Sequence, residues 1–271
     1  MKKEIFNLKN KNIILTGSCG LLGTHFANLL SNVGANLFLI DISSKDLQNQ
    51  KKNLQQKYDN IIEVFEADVS SESDIAATRN LIVKKNKTIE GLINNAAINP
   101  KVEDGIPFPS LETYPFEEWN KEIQVTLSGV FLTSKYFGEI ISKNKNGGSI
   151  INISSDLSII APDQSLYEDK FGKRSFTKPI SYSASKFGLI GMTKYLASYW
   201  AKKKIRCNAI SPAGIKNRQD KEFIDKISNL IPMQRMAELN DLSGALIYLL
   251  SDSSSYLTGT NIVIDGGRSI I

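Results

Sequence analysis

Short apolar runs alternate along the chain with longer segments in which apolar residues recur every three or four positions. The short runs are rich in Ile, Leu and Val, which predicts buried strands, and the longer segments have the period of an amphipathic helix. The predicted strands cover residues 12–17, 36–41, 61–68, 91–97, 149–155, 205–211 and 261–267. The predicted helices cover residues 21–33, 44–58, 71–87, 116–143, 182–203 and 239–250. This alternation predicts an α/β fold, a mostly parallel sheet with helices on both faces.

No linker rich in Pro, Gly or Ser divides the chain, so residues 1–271 are predicted to form one domain. Two segments interrupt the alternation: residues 98–115, which carry four prolines, and residues 156–181, which lack clear periodicity. Loops of this length in a compact domain are usually functional or disordered. Both follow predicted strands whose carboxyl ends would share one edge of the sheet, where open α/β folds bind their ligands.

At 41% hydrophobic and 23% charged residues, the 271-residue chain has an ordinary globular composition. Its formal net charge of +5 comes mostly from scattered lysines, so we expect no nucleic acid partner, whereas an anionic small molecule is compatible with this charge. Cys19 and Cys207 share no metal-ligand spacing with His25, so we expect neither a metal site nor a disulfide framework. No stretch approaches the ~20 apolar residues of a membrane helix. We therefore expect a cytoplasmic protein that acts on a small molecule and binds no membrane.

The sequence TGSCGLLG at residues 16–23 lies directly between the first predicted strand and the first predicted helix. Its three glycines allow a tight turn and a close approach of the backbone to a pyrophosphate, whose charge the helix N-terminus stabilises. Such a turn can also serve only to join a strand to a helix, but the context here favours dinucleotide binding. The residues assigned to this turn are Gly17, Ser18, Cys19, Gly20, Leu21, Leu22 and Gly23.

Asp41 closes the second predicted strand, 18 residues after Gly23, where a carboxylate would accept hydrogen bonds from an adenosine ribose. Ile42 follows it and is assigned to the same ribose site. A carboxylate there would repel a 2′-phosphate, and no arginine lies beside it to offset that repulsion. Lys45, the nearest cation, falls in the next predicted helix. The sequence therefore favours NAD over NADP.

Further segments follow the glycine turn in a fixed order: NNAA (94–97), SIINISS (149–155), YSASK (182–186), IRCNAISP (205–212) and IDGG (264–267). With this ordered set, nearly the whole chain resembles a short-chain dehydrogenase/reductase of the main group. The resemblance implies one doubly wound Rossmann-type domain with a seven-stranded parallel sheet, a nicotinamide cofactor, and hydride transfer at a carbinol or carbonyl carbon. It also implies a homodimer or homotetramer that pairs through the helices predicted at 116–143 and 182–203.

Tyr182 and Lys186 lie one helical turn apart with only small residues between them. Most such i,i+4 pairs lie on a solvated helix face and have no catalytic role. By resemblance, Tyr182 is the general acid/base at the substrate oxygen. Lys186 would lower the pKa of the Tyr182 phenol and hydrogen-bond the nicotinamide ribose. Ser155 would polarise the same substrate oxygen, in preference to Ser154. An unperturbed tyrosine has a pKa near ~10, so a neighbouring cation would help the oxidation direction most.

The resemblance assigns further cofactor contacts. Asp68 would meet the adenine amino group, and Ile215 would meet the carboxamide. Asn94 would lie on the adenosine side or, equally, tie neighbouring strands together. The other assigned contacts are Val69, Asn95, Ala96, Pro212 and Gly214.

Two positions depart from the family pattern. The glycine spacing is G-x-x-G-x-x-G, whereas main-group members more often show G-x-x-x-G-x-G, and the spacing found here is similar to that of sugar-nucleotide epimerases and dehydratases. Thr126 stands where the family usually has an asparagine that helps hold a proton-relay water. A threonine hydroxyl would serve that relay only in part, which leaves open a catalytically weak protein.

The segment 156–181 is an insertion, because Ser155 and Tyr182 lie 27 positions apart, about twice the usual family separation. Its beginning, SSDLSIIAPDQSLY, resembles a bacterial subgroup linked to flagellin modification and surface-sugar biosynthesis. Its cations would grip a phosphate or carboxylate, or lie exposed and solvated. These candidates are Lys170, Lys173, Arg174 and Lys178. Residues 213–236 are expected to form a substrate flap that includes Met233 and Met236.

These features favour an NAD-dependent oxidoreductase that acts on a secondary alcohol or ketone of a sugar or a sugar phosphate. Thr126 motivates a competing hypothesis, a catalytically weak cofactor-binding scaffold or regulatory protein. A third hypothesis, a sugar epimerase or dehydratase, rests only on the glycine spacing.

Overall fold

A single seven-stranded sheet organises the part of the chain that the computed structural model describes, which is residues 5–85, 88–99, 109–168, 171–172 and 176–271. Its strands are β1 (Asn12–Thr16), β2 (Asn36–Asp41), β3 (Ile62–Glu66), β4 (Gly91–Asn94), β5 (Gly148–Ile153), β6 (Ile205–Pro212) and β7 (Asn261–Ile264). All six pairings are parallel, in the order β3-β2-β1-β4-β5-β6-β7. The doubly wound, Rossmann-type fold is thus confirmed.

The helices that cover this sheet are α1 (Leu21–Asn32), α2 (Ser44–Gln55), α3 (Glu72–Lys84), α4 (Phe116–Ile123), α5 (Gly129–Ile141), α6 (Ile180–Trp200), α7 (Lys221–Asn229) and α8 (Ser243–Leu250). A π-helical turn, Gln124–Ser128, joins α4 to α5. Two apolar layers result, since successive strand residues point to opposite faces. Ile13 and Leu15 pack with α1 and α8 residues, whereas Ile14 packs in the layer that contains α3 and α5 residues.

The strand order reverses between β1 and β4, which are paired directly, with Leu15 opposite Ile93. Connections from these two strands run to opposite sides, so a crevice forms where they end. Helices α1 and α6 both begin at this edge of the sheet, after β1 and after the long segment that follows β5. The fold therefore brings the glycine turn and the segment before Tyr182 to the same edge.

A third, smaller apolar cluster joins the predicted insertion to the predicted flap. Its buried members are Leu166, Ile227, Ile231 and Met236. The ring of Tyr167 adds contacts to Phe176 and Phe223, with ring centroids 4.8 and 5.8 Å apart. Met236 therefore belongs to a small core, while Met233 remains exposed. No helix in the described ranges is long and apolar enough to span a membrane.

Candidate active site

The glycine turn between β1 and α1 combines two crowded positions with an open one. Gly17 has φ +61°, and a Cβ there would lie 2.7 Å from the Cα of Ala96. A Cβ on Gly23 would lie 2.1 Å from the carbonyl oxygen of Gly17, whereas one on Gly20 would meet nothing closer than 3.5 Å. Gly20 also precedes α1 without a side-chain cap, which leaves backbone N–H groups of the first turn for a ligand. This cradle fits the pyrophosphate of a dinucleotide.

The carboxylate of Asp41 lies beside this turn, at the end of β2. It accepts hydrogen bonds from the backbone N–H groups of Cys19 and Ile42, both at 2.9 Å. The structure therefore brings the predicted ribose acceptor to the glycine turn. Ser18 is fully buried, and its N–H donates to the carbonyl of Ile40, so this residue shapes the turn from inside.

Asn94, the last residue of β4, and Asn95, which follows it, have different surroundings. Asn94 is buried, and its amide donates to the Oδ1 atom of Asn152 at 2.9 Å while accepting from the hydroxyl of Thr133 at 2.7 Å. These contacts favour the alternative in which Asn94 ties neighbouring elements together. Asn95 instead donates to the carbonyl oxygens of Thr16 and Gly17, at 3.1 and 2.9 Å. Asn95 therefore stabilises the backbone of the glycine turn through these two hydrogen bonds.

The other predicted cofactor contacts follow β3 and β6 at the same edge. Asp68 accepts hydrogen bonds from the N–H and hydroxyl of Ser70, at 2.8 and 2.6 Å, and Val69 is buried against Gly129. Pro212 ends β6, and Gly214 packs below the side chain of Met236. Ile215 forms a β-bridge with Ala237. Leu22 packs against the main core, whereas Leu21 and Ile42 are exposed.

Ser155, Tyr182 and Lys186 meet where β5 ends and α6 begins. Tyr182 lies in the first turn of α6, and the Ser155 hydroxyl lies close enough to its phenol to lower the pKa of Tyr182. The buried ammonium of Lys186 donates to the carbonyl oxygen of Ile153 at 2.9 Å and lies 5.7 Å from the centroid of the Tyr182 ring. Ser154 instead donates to the backbone carbonyl of Lys186, at 2.9 Å.

Burial controls the charge states of this cluster. It raises the pKa of Tyr182 to about 12; the nearby Ser155 hydroxyl offsets part of this increase, and the negative charge of Asp156 adds to it. Burial, followed by the charge of Lys178, lowers the pKa of Lys186 to about 7. The expected lowering of the Tyr182 pKa is therefore wrong for this structure. Burial disfavours the phenolate, and the same burial removes part of the charge from the lysine that was expected to stabilise it.

The sequence analysis missed Asp156 and Arg268, which orient Ser155. The Ser155 hydroxyl donates to Oδ1 of Asp156 at 2.8 Å, and Oδ2 of Asp156 accepts from the guanidinium of Arg268, also at 2.8 Å. Both charged residues are buried. The Ser155 oxygen also accepts a hydrogen bond from the backbone N–H of Leu157 at 3.2 Å, so two contacts fix this hydroxyl beside Tyr182. The pair spans 112 positions of sequence, so no local pattern could reveal it.

Lys178 is a second cation at Tyr182. Its ammonium lies 3.8 Å from the centroid of the Tyr182 ring and donates to Oδ1 of Asn99 at 2.5 Å. Burial lowers its pKa to about 8. The other cationic candidates of the insertion, Lys170, Lys173 and Arg174, lie outside the described residues.

Thr126 lies in the π-helical turn and is buried. Its Oγ1 atom accepts a hydrogen bond from the backbone N–H of Ile98 at 3.2 Å. Its remaining hydrogen-bonding capacity is one hydroxyl proton and one lone pair, fewer than the two N–H donors and two lone pairs of an asparagine amide.

His25 lies in α1, away from the cluster at Tyr182. Its Nε2 atom is 2.9 Å from the hydroxyl of Ser243, and burial lowers its pKa. Within the ranges that the structure describes, no group of three His, Cys, Asp or Glu side chains is arranged to hold a metal ion.

Comparison with known proteins gives consistent matches over nearly the full length. A family profile described as Enoyl-(Acyl carrier protein) reductase matches residues 20–269. The NAD-dependent glycerol dehydrogenase of Listeria innocua is 30% identical, with 98% of this chain and 96% of that protein covered. The probable NADP-dependent mannitol dehydrogenase of Yarrowia lipolytica is also 30% identical, with coverage of 97% and 89%.

Two further matches bear on the subgroup and on the fold. The post-translational flagellin modification protein A of Campylobacter coli is 28% identical, with 96% of this chain and 98% of that protein covered. A crystal structure of a short-chain dehydrogenase from Leptospira borgpetersenii with bound NAD+ superposes with a TM-score of 0.82 at 30% identity, covering 99% of this chain and 96% of that one.

Proposed function

The chain belongs to the short-chain dehydrogenase/reductase family, NAD(P)-dependent oxidoreductases of CH–OH groups, and we propose on this premise that it interconverts a secondary alcohol and a ketone of a polyol or sugar-like substrate. The observation that carries this proposal is the cluster of Ser155, Tyr182 and Lys186 at the sheet edge that also holds the glycine turn. The names of two relatives, a glycerol and a mannitol dehydrogenase, support a polyhydroxylated substrate.

In the proposed mechanism, Tyr182 moves the proton at the substrate oxygen. With a pKa near 12, its phenol is protonated at neutral pH, which is the state needed to donate to a carbonyl oxygen in the reduction direction. In the oxidation direction Tyr182 must first lose that proton, so this direction should gain rate as the pH rises. To polarise the same substrate oxygen, Ser155 would turn its hydroxyl proton toward that oxygen and away from Asp156, which accepts it in the unliganded site.

The cofactor would be held by the glycine turn and by Asp41, and we propose that NAD is preferred. When bound, its nicotinamide accepts or supplies the hydride of the CH–OH carbon. The Asp41 carboxylate can accept both hydroxyl groups of an adenosine ribose, and it would lie against the added charge of a 2′-phosphate. Lys186 would bind the nicotinamide ribose, and Asp68 would meet the adenine.

The test measures cofactor binding and turnover separately. Fluorescence titration should show NADH binding at least about tenfold tighter than NADPH, which corresponds to ~1.4 kcal/mol. With NAD+ and a panel of polyols and sugar acids, Tyr182→Phe should lower kcat at least about 100-fold while NADH affinity stays unchanged. Tyr256→Phe, at a fully exposed tyrosine, is the matched control. Turnover by Tyr182→Phe near the wild-type rate would reject the acid/base role.

The same experiment separates the alternatives. A cofactor-binding scaffold, which the buried and partly engaged hydroxyl of Thr126 favours, would bind NADH and turn over nothing in either direction. A sugar epimerase or dehydratase would retain the cofactor through purification and show no net reduction of added NAD+.

We also propose that the protein assembles as a homodimer or homotetramer through the segments 116–143 and 182–203. Large apolar or aromatic side chains are exposed on α5 and α6. They include Phe131, Phe187, Tyr195 and Tyr199, each about half or more exposed in the single chain. Burying such a patch against a second copy would remove apolar area from water. Sedimentation velocity should show a species of two or four chains, and a monomer at micromolar concentration would contradict this assembly.

A cytoplasmic location is proposed on the state of the cysteines. Cys19 and Cys207 are both free thiols, and burial raises the pKa of Cys207 to about 12. Free thiols are usual where the redox environment is reducing. Cell fractionation with an antibody to the protein tests this location.

A further inference from the structure

We propose that Lys178 anchors the substrate through an ion pair, so that the substrate of this enzyme carries a carboxylate or phosphate group near the carbon on which Tyr182 acts. The proposal rests on the proposed function, because it defines the anion by its distance from Tyr182. Lys178 belongs to the insertion and lies two residues before the start of α6.

The position of the ammonium is the first argument. At 3.8 Å from the ring centroid, Lys178 covers the face of the side chain proposed to exchange the proton. The Lys186 ammonium lies farther away, at 5.7 Å, and is held by the carbonyl of Ile153. A substrate whose oxygen reaches the Tyr182 phenol therefore comes within reach of the Lys178 ammonium. Its direct partner, Asn99, comes from the other long loop of the site.

The pairing of nearby charges is the second argument. Glu122 is buried and accepts hydrogen bonds from Tyr114 and Ser181, at 2.8 and 2.6 Å. Asp156 is paired with Arg268. Within the described ranges, the hydrogen bond of the Lys178 ammonium goes to a neutral amide, not to a carboxylate. A partly buried cation with a neutral partner gains from an incoming anion, since charge-assisted hydrogen bonds are the stronger ones.

Repulsion and the helix dipole are the third argument. The charge of Lys178 disfavours the charged form of Lys186, so an anion between them would relieve the repulsion of two cations. Helix α6 also begins beside Lys178 without a side-chain cap, and its positive end favours negative charge there. An alternative role, in which Lys178 only fastens the insertion through Asn99, predicts no response to anions.

Calorimetric binding of inorganic phosphate and of glycolate tests the site directly. The protein is first saturated with NADH, so that the glycine turn is already filled by the cofactor's own phosphates. We expect at least one probe to bind, and Lys178→Gln to weaken it about tenfold to 100-fold, the size of one charged hydrogen bond. Lys178→Arg should retain binding. Lys57→Gln, at an exposed lysine two residues after the end of α2, is the matched control.

The two probes distinguish the sources of the anion. Tighter phosphate binding indicates a phosphorylated substrate, and tighter glycolate binding indicates a hydroxy acid. Affinity should fall as the pH rises through about 8 in the unliganded site, because Lys178 then loses its proton. The ionisable groups that face this ammonium are Tyr182, Lys186, Glu122 and Asp156. Tyr182 keeps its proton across this window because burial raises its pKa to about 12, whereas Lys186, whose pKa burial lowers to about 7, loses its proton just below it.

Two results would overturn the proposal: wild-type protein that binds neither probe, or binding that Lys178→Gln leaves unchanged. Turnover measurements then distinguish the absence of the anion site from the absence of the proposed reaction. Suppose that the enzyme oxidises neutral polyols and that Lys178→Gln leaves its KM for sugar acids and sugar phosphates unchanged. The proposed reaction then stands, and the anion site is rejected. A protein that binds phosphate through Lys178 but oxidises and reduces nothing keeps the anion site and loses the proposed reaction.

Discussion

The hydroxyl of Ser155 is oriented by its neighbour in sequence and, through that neighbour, by a residue near the C-terminus. The carboxylate of Asp156 accepts a hydrogen bond from the Ser155 hydroxyl at 2.8 Å and another from the guanidinium of Arg268. Breaking a buried ion pair leaves one charge without compensation, which typically costs ~3–5 kcal/mol. The negative charge of Asp156 also raises the pKa of Tyr182. We therefore predict that Asp156 is a positioning residue that acts through Ser155.

Asp156→Asn should therefore change the pH profile as well as the stability. Without the negative charge, the pKa of Tyr182 falls, so the pH at which the oxidation rate reaches half its maximum should move down. We expect kcat to fall about tenfold, because the Ser155 hydroxyl is held less firmly. Asp241→Asn, which breaks a surface ion pair with Arg235, should leave the profile unchanged. A profile unmoved in Asp156→Asn, with only a lower Tm, would show that Asp156 is merely structural.

Among the elements, the turn from β1 to α1 has strict steric demands at two of its three glycines. Gly17 and Gly23 pack against backbone atoms, whereas the position of a Cβ on Gly20 is open. The unusual spacing G-x-x-G-x-x-G therefore retains the crowded first and third positions. Its shifted middle glycine lies at the free N-terminus of α1.

A matched pair of glycine variants should separate packing from cofactor binding. Gly23→Ala places a Cβ 2.1 Å from a backbone oxygen, and such overpacking should destabilise the fold by at least ~1–3 kcal/mol. Gly20→Ala keeps an extended backbone with φ −70°, so its Tm should match the wild type. Its NADH affinity should nevertheless fall about tenfold, because a methyl group intrudes where the pyrophosphate approaches. Equal Tm losses in the two variants would contradict this division.

The observed strands and helices agree with the local sequence patterns in most places and differ from them at specific positions. All seven predicted strands are confirmed, but several end earlier than predicted, such as β4 at Asn94 in place of residue 97. Their last predicted residues leave the sheet to form the site. Helix α7 was not predicted, because residues 213–236 were interpreted as a flap, although Asp220 caps the helix and Ile227 is buried. The predicted helix 116–143 contains a π-helical turn that periodicity does not reveal.

The whole molecule assembles its site from the ends of β1, β2, β4, β5 and β6, the start of α6 and a C-terminal arginine. This convergence buries two lysines, and burial lowers the pKa of Lys186 to about 7 and that of Lys178 to about 8. An unfolded lysine has a pKa near ~10.4. Between these values the unfolded chain binds more protons than the folded one, so folding becomes more favourable as the pH rises.

The free energy of unfolding should therefore increase between pH 7 and about pH 8.5. Carboxylates with lowered pKa values, such as Asp241, do not titrate in this window. Above it, Cys207 and Tyr182 oppose the gain, because their folded pKa values are raised to about 12. Urea titrations at the two pH values measure the increase. The free energy of unfolding should increase less in Lys186→Met than in the wild type, whereas Lys57→Met should show the full increase. An equal increase in the wild type and both variants would refute the role of the buried lysines.

The sequence by itself determined the seven strands, most of the helices and the family, because hydrophobic period, turn glycines and short motifs are local and ordered along the chain. It also indicated Asp41 and the pair of Tyr182 and Lys186. Only the tertiary structure decided the pairing of Asp156 with Arg268, the place of Lys178 over Tyr182 and the direction of the pKa shifts. The physical reason is that burial and long-range charge pairs depend on where distant segments of the chain meet. A local motif such as the pair of Tyr182 and Lys186 contains no information about either.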